Sequence, residues 1–313
     1  GAPAAEISFA GPAKKAAELR QAVAAGVLVN VESLREVELL GAIGNEVGAM
    51  PRVAVRVNPD FELKGSGMKM GGGPKQFGVD VELVPEVLHR IGATGLGFEG
   101  FHLFAGSQNL RAESICEAQQ KSYELALRLA ALAAQPVRFL NLGGGFGIPY
   151  FPGERRLDLR PIGDNLAQIA ERAGREMPQA SLVIELGRYL VGEAGVYVAR
   201  VVDRKVSRGQ VFLVTDGGLH HHLSASGNFG QVVRKNYPVT ISPWAGRGAE
   251  AGATEVASVV GPLCTPLDLL ADRMPLPAAQ AGDLAVVFQS GAYGASASPQ
   301  AFLGHPACAE VLV

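Results

Sequence analysis

The stretch VRFLNLGGGFG at residues 137–147 decides the fold, because a short apolar run leads directly into a glycine-rich loop. A second exit of the same kind follows where the strand predicted at Leu182–Ile184 runs into ELGR at residues 185–188. Residues without side chains at the end of a strand let backbone N–H groups approach an anion closely. If the two strands are neighbours in a parallel sheet, the two loops form one phosphate-binding site. Alone, the glycine run of the first loop indicates a tight turn as readily as an anion site.

Short β-branched runs alternate with longer helical periods over most of the chain. Strands are predicted at Ile7–Phe9, Val27–Val31, Val53–Val57, Phe98–Leu103, Val137–Leu140 and Leu182–Ile184. Helices are predicted at Ala16–Val23, Leu34–Val47, Val81–Ile91, Ser114–Leu132 and Ile162–Arg172. Such alternation predicts an α/β fold with a parallel sheet and helical crossovers. A closed (β/α)8 barrel of the TIM type has eight units. We therefore expect two further units upstream, which places the two glycine loops after strands seven and eight, the usual phosphate site of such barrels.

Beyond residue 195 the helical periods end and β-rich runs predominate. β-rich runs separated by Gly and Pro turns follow at Val196–Val206, Val211–Asp216, Glu255–Val260 and Leu284–Gln289. We predict a partial βα barrel over residues 1–205 and a C-terminal all-β domain over residues 206–313. The glycine- and alanine-rich segment Ala245–Ala253 is predicted to be a mobile loop.

Composition excludes several classes of function. The chain has 313 residues, of which 48% are hydrophobic and 19% charged, and its net charge is -2. That balance favours a sizeable core and gives no reason to expect a nucleic-acid partner. No apolar run reaches the length of a membrane span, and the first residues lack the pattern of a signal peptide. The three cysteines fit neither a disulfide framework nor a zinc motif, so we expect a cytoplasmic protein with free thiols.

Five sequence blocks together resemble a known family. They are GFHLFAGSQ at 100–108, NLGGGFGIPY at 141–150, ELGR at 185–188, GPLC at 261–264 and GAYG at 291–294. In this order they resemble the alanine-racemase-like (fold-type III) decarboxylases that use pyridoxal 5'-phosphate (PLP), which include diaminopimelate and ornithine decarboxylases. Finer features are KMGGGPKQFG at 69–78, LCTP at 263–266 and FLGHP at 302–306. These are similar to the decarboxylases associated with exosortase A systems, and to one that acts on an aminoacyl group held by a carrier protein.

The resemblance implies a role for each matching residue. The residues implied to contact the PLP phosphate are Ser107, Gly143, Gly144, Gly145, Gly147, Gly187, Arg188 and Tyr293. Glu185 would bind the pyridine nitrogen and keep the ring a strong electron sink. Cys264, contributed across a homodimer interface, would return the proton after CO2 leaves, a task that suits a thiol. Arg188, Arg234 and Tyr237 would hold substrate groups.

Each of these roles has a plainer alternative on the residues alone. Ser107 is a residue that commonly caps a turn, and Glu185 is placed to form an ion pair with Arg188. Cys264 is of a type that usually packs as a small core residue. The motif HHH at 220–222 suggests metal at first sight, but adjacent histidines on an extended strand point to opposite faces. We therefore predict a loop of the β-domain near the active-site entrance, with a metal site as the less favoured alternative, and we assign no catalytic role to Cys116 or Cys308.

The chain departs from the family pattern in three places. The lysine motif that binds PLP covalently is absent, which indicates either a fragment of a longer enzyme or a lysine-less PLP-binding pseudoenzyme. Phe104 stands where most relatives have a histidine that stacks on the cofactor ring; phenylalanine can stack but cannot carry charge. Thr265 and Pro266 replace a Glu-Ser pair of diaminopimelate decarboxylases, which argues against that substrate. We predict a decarboxylase of an α-amino acid or a carrier-bound aminoacyl group, with an amino-acid racemase on the same fold as a further alternative.

Overall fold

The computed structural model describes residues 1–62, 68–69, 71–229, 231, 233–243 and 253–313, with the backbone alone at 68–69. Almost all of the predicted mobile loop, Ala245–Ala253, lies outside these residues. The chain divides into two compact units, the first made of residues 1–147 and 157–186, the second of residues 148–156 and 187–313. The sequence-based boundary after residue 205 falls instead inside a strand of the second unit, Tyr197–Ser207.

The first unit alternates strands and helices. Its strands are β1 (Ser8–Phe9), β2 (Leu28–Val31), β3 (Arg52–Asn58), β4 (Met68–Lys69), β5 (Val79–Asp80), β6 (Gly97–Leu103), β7 (Gly106–Ser107), β8 (Phe139–Gly144) and β9 (Ser181–Glu185). Its helices are α1 (Ala16–Ala24), α2 (Leu34–Val47), α3 (Val84–Ala93), α4 (Ala112–Ala130) and α5 (Arg160–Glu176). Local chemistry fixes the helix ends; the Ser33 hydroxyl, for example, accepts a hydrogen bond from the Glu36 N–H and caps α2.

The main sheet of the first unit is parallel. Its strands follow the order β1-β2-β3-β6-β8-β9, and β5 pairs with the end of β3. This order confirms the predicted α/β class and the six predicted strands. The row of paired strands from β1 to β9 has six members, whereas a complete barrel has eight. β8 starts later and runs further than predicted, through Gly144, because its ladder with β9 continues to the pair Gly144 and Glu185.

The two faces of this sheet differ in chemistry. On β3, Val53, Val55 and Val57 belong to the apolar core that the helices cover. Because side chains alternate along a strand, Arg56 and Asn58 lie on the opposite face, and both are buried. The sheet therefore has one apolar face against the helices and one buried face that carries polar side chains, and the second is the face on which a site can be built.

The second unit is mostly β. After a short helix α6 (Gly187–Val191), its strands are β10 (Tyr197–Ser207), β11 (Gln210–Thr215), β12 (Val239–Ser242), β13 (Thr254–Val260), β14 (Leu269–Pro277) and β15 (Leu284–Val287). They form one sheet in the order β12-β15-β10-β11-β13-β14. The sequence did not predict β12 or β14. β14 contains Pro275 and Pro277, and it lies at the end of the sheet order, where proline is tolerated.

Among the helices of the described residues, none combines the length and the apolar character needed to cross a membrane.

Candidate functional site

The exits of β8 and β9 lie side by side. The two strands pair in parallel, with Phe139 opposite Ser181, Asn141 opposite Val183 and Gly144 opposite Glu185. The condition set by the sequence, that the strands bearing the two glycine loops be neighbours, is confirmed. Both loops therefore begin at the same, carboxyl-terminal edge of the sheet, where parallel α/β sheets place their ligands.

Hydrogen bonds inside the chain already use two of the predicted phosphate donors. The Gly143 N–H donates to Asn141 Oδ1 at 2.8 Å, and the Gly147 N–H donates to the Asn109 carbonyl at 2.8 Å. The prediction that both N–H groups face a phosphate is therefore corrected: they are committed to the loop itself. Gly144 and Gly145 keep that role as a prediction.

Close packing explains the glycine run. A Cβ at Gly143 would lie 2.5 Å from the Leu103 carbonyl oxygen, and one at Gly145 would lie 2.2 Å from that of Gly106. At Gly144 the distance to the Glu185 carbonyl oxygen would be 1.7 Å. Gly143 and Gly145 also have φ values of +71° and +84°, a conformation that favours glycine. The run is thus required by the contact of the β8 exit with β9 and with the loop after β6.

Glu185 closes β9 and takes its partners from the neighbouring strands. Its Oε1 accepts a hydrogen bond from Asn141 Nδ2 at 2.8 Å and lies 3.4 Å from His102 Nε2. Burial by itself raises the pKa of Glu185, but His102, Asn141 and the charge of Arg56 outweigh it and hold that pKa below its ordinary value. The carboxylate is therefore ionised at neutral pH. Its partners are Asn141 and His102, rather than Arg188 as the residue spacing suggested.

Two further predicted residues lie next to the glycine run. Phe104 is half-buried, and its Cα and Cδ2 would each lie 3.1 Å from a Cβ placed on Gly143. Ser107 ends the short strand β7, which pairs with β4, and its Oγ is buried. Both side chains therefore accompany the β8 exit within the first unit, while their contacts with a cofactor stay predictions.

In the second unit, Arg188 lies between two tyrosines. The centre of its guanidinium lies 4.6 Å from the Tyr293 ring centroid and 5.4 Å from that of Tyr150, whose hydroxyl accepts from Nη1 at 3.1 Å. Rings on a guanidinium fix its plane without neutralising its charge. At Gly187 a Cβ would meet nothing within 4 Å among the described residues, so packing does not require this glycine.

The two predicted substrate residues of the second unit are engaged elsewhere. Arg234 donates to the carbonyls of Ser226 and Leu269 and to Asn236 Oδ1, which occupies each of its guanidinium nitrogens. Tyr237 is buried in the core of the unit, 4.9 Å between ring centroids from Tyr150. These contacts fit a packing role, and substrate binding by the two residues stays a prediction that would require them to rearrange.

Cys264 lies in an exposed loop that a buried carboxylate anchors. Asp268 Oδ2 accepts from the Leu263 N–H at 2.8 Å, and Oδ1 accepts from the Leu219 N–H at 2.6 Å. The exposed thiol is at odds with the plainer prediction of a small core cysteine. Cys116 and Cys308 are half-buried, and burial raises the pKa of both thiols, which makes them poorer sources of thiolate than an exposed cysteine.

The histidine triplet is not on a strand, contrary to the premise of the sequence argument; it lies in a turn after β11. His220 stacks on His221 with centroids 3.9 Å apart, and His221 lies 3.1 Å from the Tyr197 hydroxyl and 2.8 Å from the Pro306 carbonyl. Burial lowers the pKa of His222 to about 4, so it is neutral at physiological pH. Within the described part of the chain, no cluster of three His, Cys, Asp or Glu side chains could hold a metal ion.

The sequence analysis missed the buried charges around Glu32. Lys14 Nζ lies 3.0 Å from Glu36 Oε2 and 3.9 Å from Glu32 Oε1, and Arg56 Nη1 donates to Glu32 Oε1 at 3.0 Å. His102 and Asn141 were missed as well. The signal was present, since polar residues at alternate positions of buried parallel strands must face something polar.

Solved structures of known function share this architecture. The diaminopimelate decarboxylase of Helicobacter pylori, in a mutant form complexed with L-lysine, is similar with a TM-score of 0.82 and 26% sequence identity, over 96% of this chain and 72% of that one. Among curated proteins, L-glutamyl-[BtrI acyl-carrier protein] decarboxylase of Niallia circulans is 39% identical over 317 residues, which cover 100% of this chain and 73% of the relative. Diaminopimelate decarboxylase of Archaeoglobus fulgidus is 33% identical over 316 residues, 98% of this chain and 71% of the relative.

These similarities define a class of PLP-dependent enzymes with a parallel-sheet domain and a C-terminal β-domain. The family model for the pyridoxal-binding domain of the pyridoxal-dependent decarboxylases matches residues 1–192, and the chain belongs to that family. It is an amino-acid decarboxylase whose cofactor is PLP, which confirms the predicted family, cofactor and reaction.

The residues of the first unit fit this cofactor at one clear point. None of the hydrogen bonds among the described residues uses Glu185 Oε2, and the Glu185 side chain is 37% exposed. An ionised, partly exposed carboxylate with one free oxygen suits the protonated ring nitrogen of PLP.

Proposed function

We propose that the chain decarboxylates an aminoacyl group carried on a protein rather than a free diamino acid. The observation that carries this proposal is the 39% identity over the whole chain to an enzyme of that kind, against 29–33% for the diaminopimelate decarboxylases compared with it. Thr265 supports it, because its hydroxyl and carbonyl both serve the turn before Asp268 and no carboxylate stands at this position. A diamino acid would therefore lack the anionic partner that the family resemblance implies for diaminopimelate decarboxylases.

The test compares CO2 release from a glutamyl group on an acyl-carrier protein with release from free L-glutamate, meso-diaminopimelate and L-ornithine. We expect kcat/KM for the carrier-bound substrate to exceed that for each free amino acid by about 100-fold or more, since a carrier adds contacts that a free amino acid lacks. Faster turnover of a free diamino acid would reject the proposal. The Thr265→Glu variant serves as the matched change, and in it we expect the preference for the carrier-bound substrate to shrink.

We propose the following division of roles among the residues. When bound, PLP supplies an electron sink for the carbanion left as CO2 departs. Glu185 accepts the hydrogen bond of the ring nitrogen through Oε2, and the Phe104 ring packs against the cofactor plane. Cys264 gives its Sγ proton to the substrate Cα, so that an S–H bond breaks as a C–H bond forms. The roles of Gly187, Arg188 and Tyr293 in holding the phosphate remain as the sequence predicts them.

Replacing Cys264 by Ala tests the proton donor. Turnover should fall about 100-fold or more while PLP affinity stays unchanged, because general acid catalysis contributes a factor of that order and the thiol does not hold the cofactor. The matched control is Cys308→Ala, a half-buried cysteine of the same unit, which should leave turnover as it was. Turnover of Cys264→Ala equal to that of the parent would remove this cysteine from the reaction.

We also propose a two-fold homodimer with shared active sites, as the family resemblance implies. Co-expression of Cys264→Ala with Glu185→Gln tests it directly. If each site takes Glu185 from one subunit and Cys264 from its partner, half of the dimers are mixed and have one intact site, which restores about a quarter of parental activity. If both residues of a site come from one subunit, the mixture has no intact site and stays inactive. Sedimentation analysis of the parent protein gives the oligomeric state independently.

A further inference from the structure

Three buried polar side chains form a row across neighbouring strands of the first unit. Arg56 on β3 is in register with His102 on β6, and His102 is in register with Asn141 on β8. Residues in register on adjacent strands point to the same face of a sheet. Their exposed fractions are 7%, 2% and 1%. Burying three polar groups in one row is costly unless each has a polar partner.

The row ends at Glu185, the last residue of β9. Asn141 Nδ2 and His102 Nε2 both approach the same carboxylate oxygen, Oε1, at 2.8 and 3.4 Å. The hydrogen bond from Asn141 restrains the rotation of the carboxylate, and His102 Nε2 lies beside the same oxygen. The other oxygen is left without a hydrogen bond among the described residues. The carboxylate is therefore held from inside the sheet and presents Oε2 outward.

The His102 ring is buried but lacks hydrogen bonds within the described part of the chain. The imidazole is 2% exposed, and neither Nδ1 nor Nε2 makes a hydrogen bond among the described residues. The 3.4 Å approach of Nε2 to Glu185 Oε1 is longer than an ordinary hydrogen bond. An unsatisfied buried imidazole destabilises the fold relative to an apolar side chain of similar shape, so a partner that forms on ligand binding would stabilise it. A contact of this kind tightens in many enzymes when the ligand binds.

Arg56 is held apart from this pair. Its Nη1 donates to Glu32 Oε1, which also accepts the Gly11 N–H, and Glu32 Oε2 accepts the Gly78 N–H at 2.9 Å. Arg56 thus acts on Glu185 through its charge, while His102 and Asn141 act by contact. Of the two contacting residues, Asn141 is shared with the glycine loop through its bond to the Gly143 N–H, so His102 is the one whose contact serves Glu185 alone.

We propose that His102 is the positioning residue for Glu185, donating its Nε2–H to Oε1 and so directing Oε2 to the ring nitrogen of PLP. This inference rests on the proposed role of Glu185. His102 itself touches neither cofactor nor substrate in this scheme. In this role Nε2 carries the proton of the hydrogen bond and Glu185 Oε1 accepts it.

The experiment combines two readouts on four variants. The variants are His102→Leu, which removes the donor; His102→Gln, which keeps an amide donor of similar reach; Asn30→Leu; and Glu185→Gln. Asn30 on β2 is the matched control, since its amide is also fully buried and has no hydrogen-bond partner among the residues that the structure describes. The first readout is the titration of the Glu185 carboxyl carbon by NMR, assigned from Glu185→Gln. The second is the Kd of PLP, followed by absorbance.

In His102→Leu we expect the pKa of Glu185 to rise toward its ordinary value and the Kd of PLP to rise about tenfold, the equivalent of one lost hydrogen bond. His102→Gln should bring the pKa of Glu185 and the Kd of PLP most of the way back to the parental values. Asn30→Leu should leave both quantities unchanged. Thermal unfolding confirms that each variant is folded; if His102→Leu is not, the parent and His102→Gln are compared with His102→Ser, which is too short to reach Oε1.

Unchanged Glu185 titration and unchanged Kd of PLP in the folded donor-less variant would overturn the inference. The failure of the underlying role is distinguishable from this outcome. If Glu185→Gln binds PLP as tightly as the parent, the proposed role of Glu185 itself is wrong. If Glu185→Gln binds PLP more weakly but His102→Leu does not, the inference on His102 alone is wrong.

Discussion

The exits of β8 and β9 carry similar glycine signals but use them for different purposes. At the β8 exit, Gly143, Gly144 and Gly145 are needed because backbone atoms of neighbouring segments occupy the space of their missing side chains. At the β9 exit, a Cβ on Gly187 would meet nothing among the described residues. A glycine run in sequence therefore marks close packing at one exit, and at the other it leaves room that the chain itself does not fill.

The largest effect on the free energy of unfolding is expected from Gly144→Ala, at the β8 exit. Its Cβ would lie 1.7 Å from the Glu185 carbonyl oxygen, so the β8–β9 pairing must shift. We expect a loss of about 3 kcal/mol or more in the free energy of unfolding, the upper range for overpacking. Chemical denaturation measures it. The control is Gly163→Ala in α5, where a Cβ meets nothing and alanine should be neutral or stabilising. Equal stability of the two variants would contradict the packing explanation.

Asn141→Leu should have an intermediate effect at the same exit. The change leaves the buried Gly143 N–H without its acceptor and removes the donor to Glu185. An unsatisfied buried backbone group costs about 1–3 kcal/mol, and we expect a destabilisation in that range by denaturant unfolding. Asn45→Leu, on the exposed face of α2, is the matched control and should change stability little. If both variants unfold alike, the Asn141 contacts do not support the loop.

The carboxylate at the β9 exit should give a smaller, pH-dependent effect. Because the folded-state pKa of Glu185 lies below its ordinary value, its ionised form stabilises the fold above that ordinary value of about 4.3. This contribution is lost as the pH falls through the folded-state pKa. The side chain is more than a third exposed, so we expect less than about 1 kcal/mol. Comparing the parent with Glu185→Gln by thermal unfolding at several pH values isolates it, and parallel curves would contradict it.

The smallest effect on stability is expected from Gly187→Ala. The added methyl group meets no described atom, so the free energy of unfolding should change by no more than about 0.5 kcal/mol. The same methyl group should weaken PLP binding if the space beside Gly187 receives the phosphate. Absorbance titration with PLP gives that affinity. A variant that is stable and binds PLP as the parent does would show that the β9 glycine serves neither purpose.

The sequence was sufficient where a local pattern determines the structure. Apolar runs between helical periods located the six parallel strands of the first unit, because the four inner strands are buried on both faces. The commitment of the Gly143 N–H was also readable, since an Asn two residues before an N–H commonly accepts from it. The Glu185 contacts were not readable, because His102 and Asn141 reach that carboxylate only through strand order and register, which no single segment encodes. β14 was not predicted because its prolines argue against a strand. The sheet order shows that β14 is an edge strand, where proline is tolerated.

The anchoring of two loops by Asp268 bears on the motion of the catalytic thiol proposed above. One carboxylate accepts the amide protons of Leu263, beside Cys264, and of Leu219, beside the histidine turn. Exposure of Asp268 to solvent would release both protons at once, so the two amides should show the same opening free energy in native-state hydrogen exchange. If the two opening free energies agree, the exposed cysteine is not independently mobile, and it opens with the histidine turn as one cooperative unit.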